Sequence, residues 1–98
     1  MSLDLNECRA LVTDDNTLES VAKKVMESIG EDGGVEPDKL KELLDNFCED
    51  NDISAPSTDE IDDYKKSEGM KADEKLDLPS LKLQLNIYFG CAKSLGKI

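Results

Sequence analysis

The sequence contains no histidine and no tryptophan, and its aromatic residues are two tyrosines and two phenylalanines. Without histidine, the chain lacks the side chain that most readily exchanges protons near neutral pH and a common zinc ligand. There is also no G-x-S-x-G sequence, no phosphate-binding glycine loop, and no pair of carboxylates whose sequence context places it in a pocket. We therefore do not expect the protein to be an enzyme.

Basic side chains are scarce as well. Twelve lysines and arginines stand against 23 aspartates and glutamates, so the formal net charge is −11 at pH 7. This charge repels the phosphates of nucleic acids and of anionic membrane surfaces, whereas it attracts a basic peptide or a cation. The composition thus favours a basic protein partner over nucleic acid or membrane.

Cysteines are few and far apart. Cys8, Cys48 and Cys91 are odd in number and form no C-x-x-C spacing, which argues against a disulfide framework and against a zinc site. No apolar run approaches the roughly 20 residues that span a bilayer, and the amino terminus lacks the pattern of a signal peptide. We expect a soluble, cytoplasmic protein whose 98 residues form one domain around a single core.

Apolar residues recur at helical spacing, which predicts an all-α chain of four to five helices. Residues 2–12 predict a short helix or arm. A second helix is predicted to begin at Asn16, which with Glu19 has capping-box spacing, and to end at Gly30. Pro37 suits the first turn of a third helix, because its missing N–H costs nothing there.

The second half of the chain repeats this order. Ser57 and Glu60 have capping-box spacing at the start of a short fourth helix, which Gly69 is predicted to end. A charged loop follows, and Asp77 is predicted to cap the last helix.

The segment from Leu81 to Leu95 fits two kinds of structure. Residues at alternate positions are apolar as in a strand, but helical spacing collects more of them: Leu81, Leu85, Tyr88, Phe89, Ala92 and Leu95. The segment is also long for a strand, so we predict a helix. Its other side carries a second apolar ridge that needs additional core or a partner: Leu83, Ile87 and Cys91.

The loop between the second and third helices reads Glu-Asp-Gly-Gly from position 31 to 34, and both glycines are expected to permit positive φ. One valine, Val35, stands between this loop and Pro37. In the second half, Leu76 stands alone in the same way between a charged loop and a helix with a proline in its first turn.

This doubled order of helix, acidic loop, single apolar residue and leucine-bearing helix resembles the EF-hand family. The spans KLKELLDNF and KLDLPSLKLQL look like the exit helices of an amino-terminal and a carboxy-terminal hand. The resemblance implies that Val35 and Leu76 pair as a minimal two-stranded bridge between the loops. The length, the central linker and the apolar last helix are also similar to S100 proteins, and the single-lobe size is similar to small calmodulin-like myosin light chains.

The resemblance implies one EF-hand-like domain over residues 1–98. Within it, residues 1–16 are an arm or short helix, residues 17–48 a first degenerate hand, residues 49–58 a linker, and residues 59–95 a second degenerate hand. Two other readings stay open, namely an unrelated acidic helical bundle and a fold in which residues 82–89 form a strand.

The first loop lacks most of the oxygens that calcium needs. A tight site takes six to eight oxygens, including a bidentate glutamate at the twelfth loop position. Counted from Val35 as the eighth position, Lys39 occupies that closing place. Only Asp32 and Glu36 remain as weak candidate ligands.

The second loop is no better supplied. Counted from Leu76, Ser80 stands at the closing position and Glu74 where the motif requires glycine, which leaves Asp73 and Asp77 as weak candidates. We therefore expect no metal and no cofactor, calcium included.

These observations favour a calcium-independent binding module or light chain that grips a basic amphipathic helix, such as an IQ-type motif of a myosin. Residues predicted to line its groove are Leu43, Phe47, Met70, Leu81, Leu85, Tyr88 and Phe89. Two alternatives remain, a divergent calcium sensor and an S100-like homodimer whose two-fold interface is formed by the first helix and the ridge of Leu83, Ile87 and Cys91.

Overall fold

A computed structural model describes residues 3–65 and 76–98 of the chain. This part contains five α-helices and one isolated backbone pair between two distant residues, so the predicted all-α class is confirmed. The last segment is a helix and not a strand. The helices are α1 (Leu5–Ala10), α2 (Asp15–Ile29), α3 (Pro37–Asp50), α4 (Thr58–Lys65) and α5 (Leu78–Ser94).

Two of the three predicted helix caps are confirmed. Ser57 and Glu60 form a capping box at α4, in which each backbone N–H donates to the other's side-chain oxygen at 3.0 and 3.1 Å. At α5, Asp77 Oδ1 accepts from the backbone N–H of Ser80 at 3.0 Å. These bonds satisfy backbone donors that the first turn of a helix leaves without a partner.

The predicted cap of α2 is wrong by two residues. Asp14, not Asn16, caps this helix, and its carboxylate accepts from the backbone N–H of Asn16 and from the hydroxyl of Thr17, at 3.0 and 2.9 Å. Both bonds lower the pKa of Asp14 below its ordinary value, the Thr17 hydroxyl contributing most. Asp14 is the cap because its carboxylate accepts hydrogen bonds from two donors at the start of α2.

The first loop is a tight hairpin turn. Glu31 and Gly34 exchange two backbone hydrogen bonds of 2.7 and 3.0 Å around the central residues Asp32 and Gly33. Both central residues have positive φ, +53° and +78°, as a type I′ turn requires. Positive φ was expected at Gly33 and Gly34, so it falls one residue earlier than expected, on an Asp-Gly pair suited to this turn.

The two halves of the chain meet through Val35 and Leu76. Their backbones exchange two antiparallel hydrogen bonds, Val35 N to Leu76 O at 3.0 Å and Leu76 N to Val35 O at 2.8 Å. Val35 is fully buried and Leu76 is 4% exposed. The pair thus places the starts of α3 and α5 beside each other.

Helix α5 is the centre of the core. It contacts α1, α2 and α4 along its length, while α1 and α3 also pack on α2. Val21 and Val25 of α2 and Cys8 of α1 are fully buried in this core. Burial of a valine or leucine side chain stabilises the fold by about 1.5–3 kcal/mol relative to full exposure.

Candidate functional site

Helices α3 and α5 carry matching buried faces. Counted from the paired residues Val35 and Leu76, buried side chains stand five, nine, twelve and thirteen positions later in both helices. They are Leu40, Leu44, Phe47 and Cys48 in α3, and Leu81, Leu85, Tyr88 and Phe89 in α5. The two helices therefore bury the same positions, counted from Val35 and Leu76, although their sequences differ.

The ends of these two faces meet in an aromatic cluster. Phe47 of α3 contacts Phe89 edge to face, with ring centroids 6.0 Å apart, and Tyr88 contacts Phe89 in the same manner at 5.3 Å. Edge-to-face pairs of this kind contribute about 0.5–1.5 kcal/mol beyond their buried area. The cluster joins α3 to α5.

A polar network lies beside the aromatic cluster. The hydroxyl of Tyr88 donates to Asp45 Oδ1 at 2.7 Å, and Lys41 Nζ lies 2.6 Å from the other carboxylate oxygen of Asp45. Cys48 Sγ is 3.6 Å from the Tyr88 hydroxyl oxygen, and because that hydroxyl's proton goes to Asp45, the thiol is the donor. Burial and then the bond to Asp45 raise the pKa of Tyr88 well above its ordinary value.

Most residues predicted to line a partner groove lie in the core of the described structure. Leu81, Leu85 and Phe89 are fully buried, and Tyr88 and Phe47 are at most 7% exposed. Leu43 is half-buried and packs on the rim of the core. Met70 lies outside the described residues, as do Gly69 and Asp73.

The predicted dimer ridge is not one continuous surface. Leu83 is exposed, but Ile87 and Cys91 are each 2% exposed and belong to the core. The thiol of Cys91 lies 3.6 Å from the backbone oxygen of Glu60, which is on α4. The short fourth helix therefore covers a part of α5 that was assigned to a second subunit, and the homodimer itself stays a prediction.

Two of the weak candidate ligands lie in the region of the first loop. Asp32 is exposed in the hairpin turn, and Glu36 precedes α3 without a side-chain cap hydrogen bond. Lys39, at the position that would close a calcium loop, instead lies 3.4 Å from Glu31 of the hairpin. Both side chains of this ion pair are about half exposed or more, so it contributes at most about 1 kcal/mol.

The carboxylate of the third candidate, Asp77, is engaged in capping α5, and the bond from Ser80 lowers its pKa. Within residues 3–65 and 76–98, no group of three or more histidine, cysteine, aspartate or glutamate side chains is arranged to hold a metal ion.

The three cysteines are free thiols buried in the core. Burial, with a smaller contribution from Glu7, raises the pKa of Cys8 to about 12, and burial raises the pKa of Cys48 and Cys91 as well. Such thiols stay protonated near neutral pH and react slowly. They serve as small apolar side chains here.

Sequence reasoning missed Asp45. Its partner Tyr88 stands on another helix, 43 positions away, and no local pattern reports such a pairing. One signal was available, because Lys41 and Asp45 are four residues apart on a helix and can therefore pair. That spacing alone does not predict a contact with another helix, because a charged pair on a helix is typical of a solvent-exposed surface.

In the part of the chain that is described, no helix combines the length and apolar character needed to cross a membrane. Comparison of the chain with protein-family models, with curated proteins and with solved structures gives no match.

Proposed function

We propose that the chain is a calcium-independent, EF-hand-like module that binds a basic amphipathic helix between α3 and α5. The observation that carries the proposal is the matched register of these helices, which begin beside each other at the Val35–Leu76 pair and whose buried faces meet at Phe47 and Phe89. Two facing apolar helices form the walls of a groove when they separate.

The surface charge supports a basic partner. The outward side of α3 carries exposed carboxylates, among them Asp38, Glu42, Glu49 and Asp50. The whole chain has a net charge of −11. Such a rim speeds the encounter with a positively charged helix, while the affinity comes from apolar side chains that enter the groove.

Calcium independence is supported by the first loop. Lys39 places an ammonium group near Glu31, where a calcium loop needs the two oxygens of its closing glutamate. A partner must then separate α3 from α5 by its own binding energy, without help from an ion.

The test is a fluorescence titration with a synthetic helical peptide of leucine and lysine that contains one tryptophan. The protein has no tryptophan, so the signal reports the peptide alone. We expect saturable binding of one peptide per chain, with equal affinity in excess chelator and in millimolar calcium. A peptide of the same composition with its amphipathic order scrambled is the control, and equal binding of that control would reject a groove.

A charge variant separates groove binding from simple attraction. Glu49→Lys changes an exposed residue of α3 and should slow association and weaken binding by a few-fold at low salt. The same variant at high salt should approach the wild-type affinity. Loss of all binding at high salt would mean that charge alone holds the peptide.

A further inference from the structure

Side chains of α3 make two described hydrogen bonds to another helix, and both end on one atom. Asp45 accepts from the Tyr88 hydroxyl at 2.7 Å, and the Cys48 thiol lies 3.6 Å from the same oxygen. Tyr88 is 4% exposed, so this hydroxyl is held at the edge of the core. The other described contact between α3 and α5 is the apolar pair of Phe47 and Phe89, which has a weaker directional requirement than a hydrogen bond.

The carboxylate of Asp45 is oriented by its own helix. Lys41 Nζ lies 2.6 Å from Oδ2, which leaves Oδ1 directed at Tyr88. A hydrogen bond to an ionised carboxylate is shorter and stronger than one between neutral groups. Such a bond is lost when its donor and acceptor move apart by a small distance, because it requires a limited range of distances and angles.

We propose that the Tyr88–Asp45 hydrogen bond is a latch that holds α3 against α5 and so withholds the apolar side chains between them from solvent. The consequence for binding rests on the function proposed above. A partner helix that must enter between α3 and α5 can do so only when this bond is broken, so the bond lowers the partner's apparent affinity.

The latch is measured without any partner through the alkylation rate of Cys48, read by peptide mass spectrometry. Cys48 is fully buried beside Tyr88 and becomes accessible when α3 leaves α5. Cys91 is an internal reference, since its thiol faces α4 instead. Asp45→Ala removes the acceptor and keeps the Tyr88 and Cys48 side chains, but it also removes a charge that raises the pKa of Cys48, so the alkylation rates are compared after correction for the thiolate fraction. We expect it to speed alkylation of Cys48 by on the order of tenfold and to leave Cys91 at the wild-type rate.

Tyr88→Phe removes the donor without changing the charge, so it is the variant for peptide affinity. We expect it to bind the tryptophan-containing peptide on the order of tenfold more tightly than wild type. Tyr64→Phe is the matched control, because Tyr64 lies against α5 at Gly90 and belongs to α4. It removes a hydroxyl of the same kind and should change neither Cys48 alkylation nor affinity.

Three results would overturn the latch. Wild-type alkylation of Cys48 in both Asp45→Ala and Tyr88→Phe would show that the bond holds nothing closed. A parallel rise at Cys91 would show general unfolding, and an equal effect of Tyr64→Phe would show that any hydroxyl matters. If instead Cys48 becomes reactive but no variant binds the peptide, the latch stands and the proposed function fails.

Discussion

Helices α3 and α5 have the same pattern of buried positions on one side but differ in how much of their remaining surface is buried. Both follow a residue of the Val35–Leu76 pair, both have a proline in the first turn, and both bury the same four positions. On α5 a second side is also buried, where Ile87 and Cys91 lie. The corresponding positions on α3, Asn46 and Asp50, face solvent.

This difference separates a fixed helix from one that can move. Helix α5 packs closely on α1, α2 and α4 and also contacts α3 through side chains, so its displacement would expose apolar side chains on both sides. Helix α3 packs by one side, so moving it exposes only that side. A partner that needs an apolar groove therefore gains it at lowest cost by displacing α3.

The largest effect should come from the second side of α5. Ile87→Ala removes a side chain that is 2% exposed, and we expect it to lower the free energy of unfolding by about 2–5 kcal/mol. Asn46→Ala, at the matching position of α3, should stay within about 0.5 kcal/mol of wild type. Urea unfolding followed by circular dichroism measures both. Similar small effects would mean that Ile87 is a surface residue in solution, as an interface ridge would be.

A second contrast concerns Tyr88 and Phe47, which occupy the same position of the two helices. Burial and the bond to Asp45 raise the pKa of Tyr88, so its contribution to stability is complete below its ordinary value of about 10 and is lost as the pH rises above it. We expect a loss of about 1.4 kcal/mol per pH unit there. Tyr88→Phe should flatten this fall of the unfolding free energy with rising pH. Adding Phe47→Tyr to that variant should not restore the fall.

Urea titrations at a series of pH values from 8 to about 11 provide the slopes. Ionisations common to both variants cancel when the slopes are subtracted, so only the difference between slopes is attributed to Tyr88. Identical slopes in wild type and Tyr88→Phe would show that the tyrosine is not protected from deprotonation in the folded protein.

The starts of the two helices provide a third contrast. Asp77 accepts a backbone hydrogen bond from Ser80, whereas Glu36 makes no side-chain cap bond. We therefore expect Asp77→Ala to lower the thermal midpoint of unfolding measurably and Glu36→Ala to leave it nearly unchanged. An equal fall in both would mean that each acidic residue acts through the helix dipole and not through a bond.

The smallest effect should follow from the ion pair in the first loop. Lys39→Gln removes the 3.4 Å contact with Glu31, and since both side chains are largely exposed, the change in stability should be below about 1 kcal/mol. The difference should shrink further in 1 M salt. A larger, salt-independent loss would show that Lys39 has a structural role that its exposure does not suggest.

The sequence predicted the elements of this fold well where the signal was local. The apolar spacing of α2, α3 and α5 and the capping box of Ser57 and Glu60 each depend on neighbours a few residues apart. The cap of α2 was misplaced because Asp14, Asp15 and Asn16 are consecutive and all three can cap a helix.

Long-range assignments fared differently. A repeated pattern placed Val35 and Leu76 opposite each other, and their backbones do exchange hydrogen bonds. By contrast, periodicity marks Ile87 and Cys91 as apolar but does not say what covers them; both are buried, and the thiol of Cys91 contacts α4. For the same reason a sequence cannot separate an apolar face that packs within the chain from one that receives a partner.

The most direct test is the amide spectrum of isotope-labelled protein titrated with the basic helical peptide in excess chelator. We expect the largest changes at buried residues of α3 and α5, among them Phe47, Leu85 and Phe89, and small changes on α2. Calcium should add nothing to this pattern. Changes confined to exposed acidic residues, or changes that require calcium, would contradict a calcium-independent groove between α3 and α5.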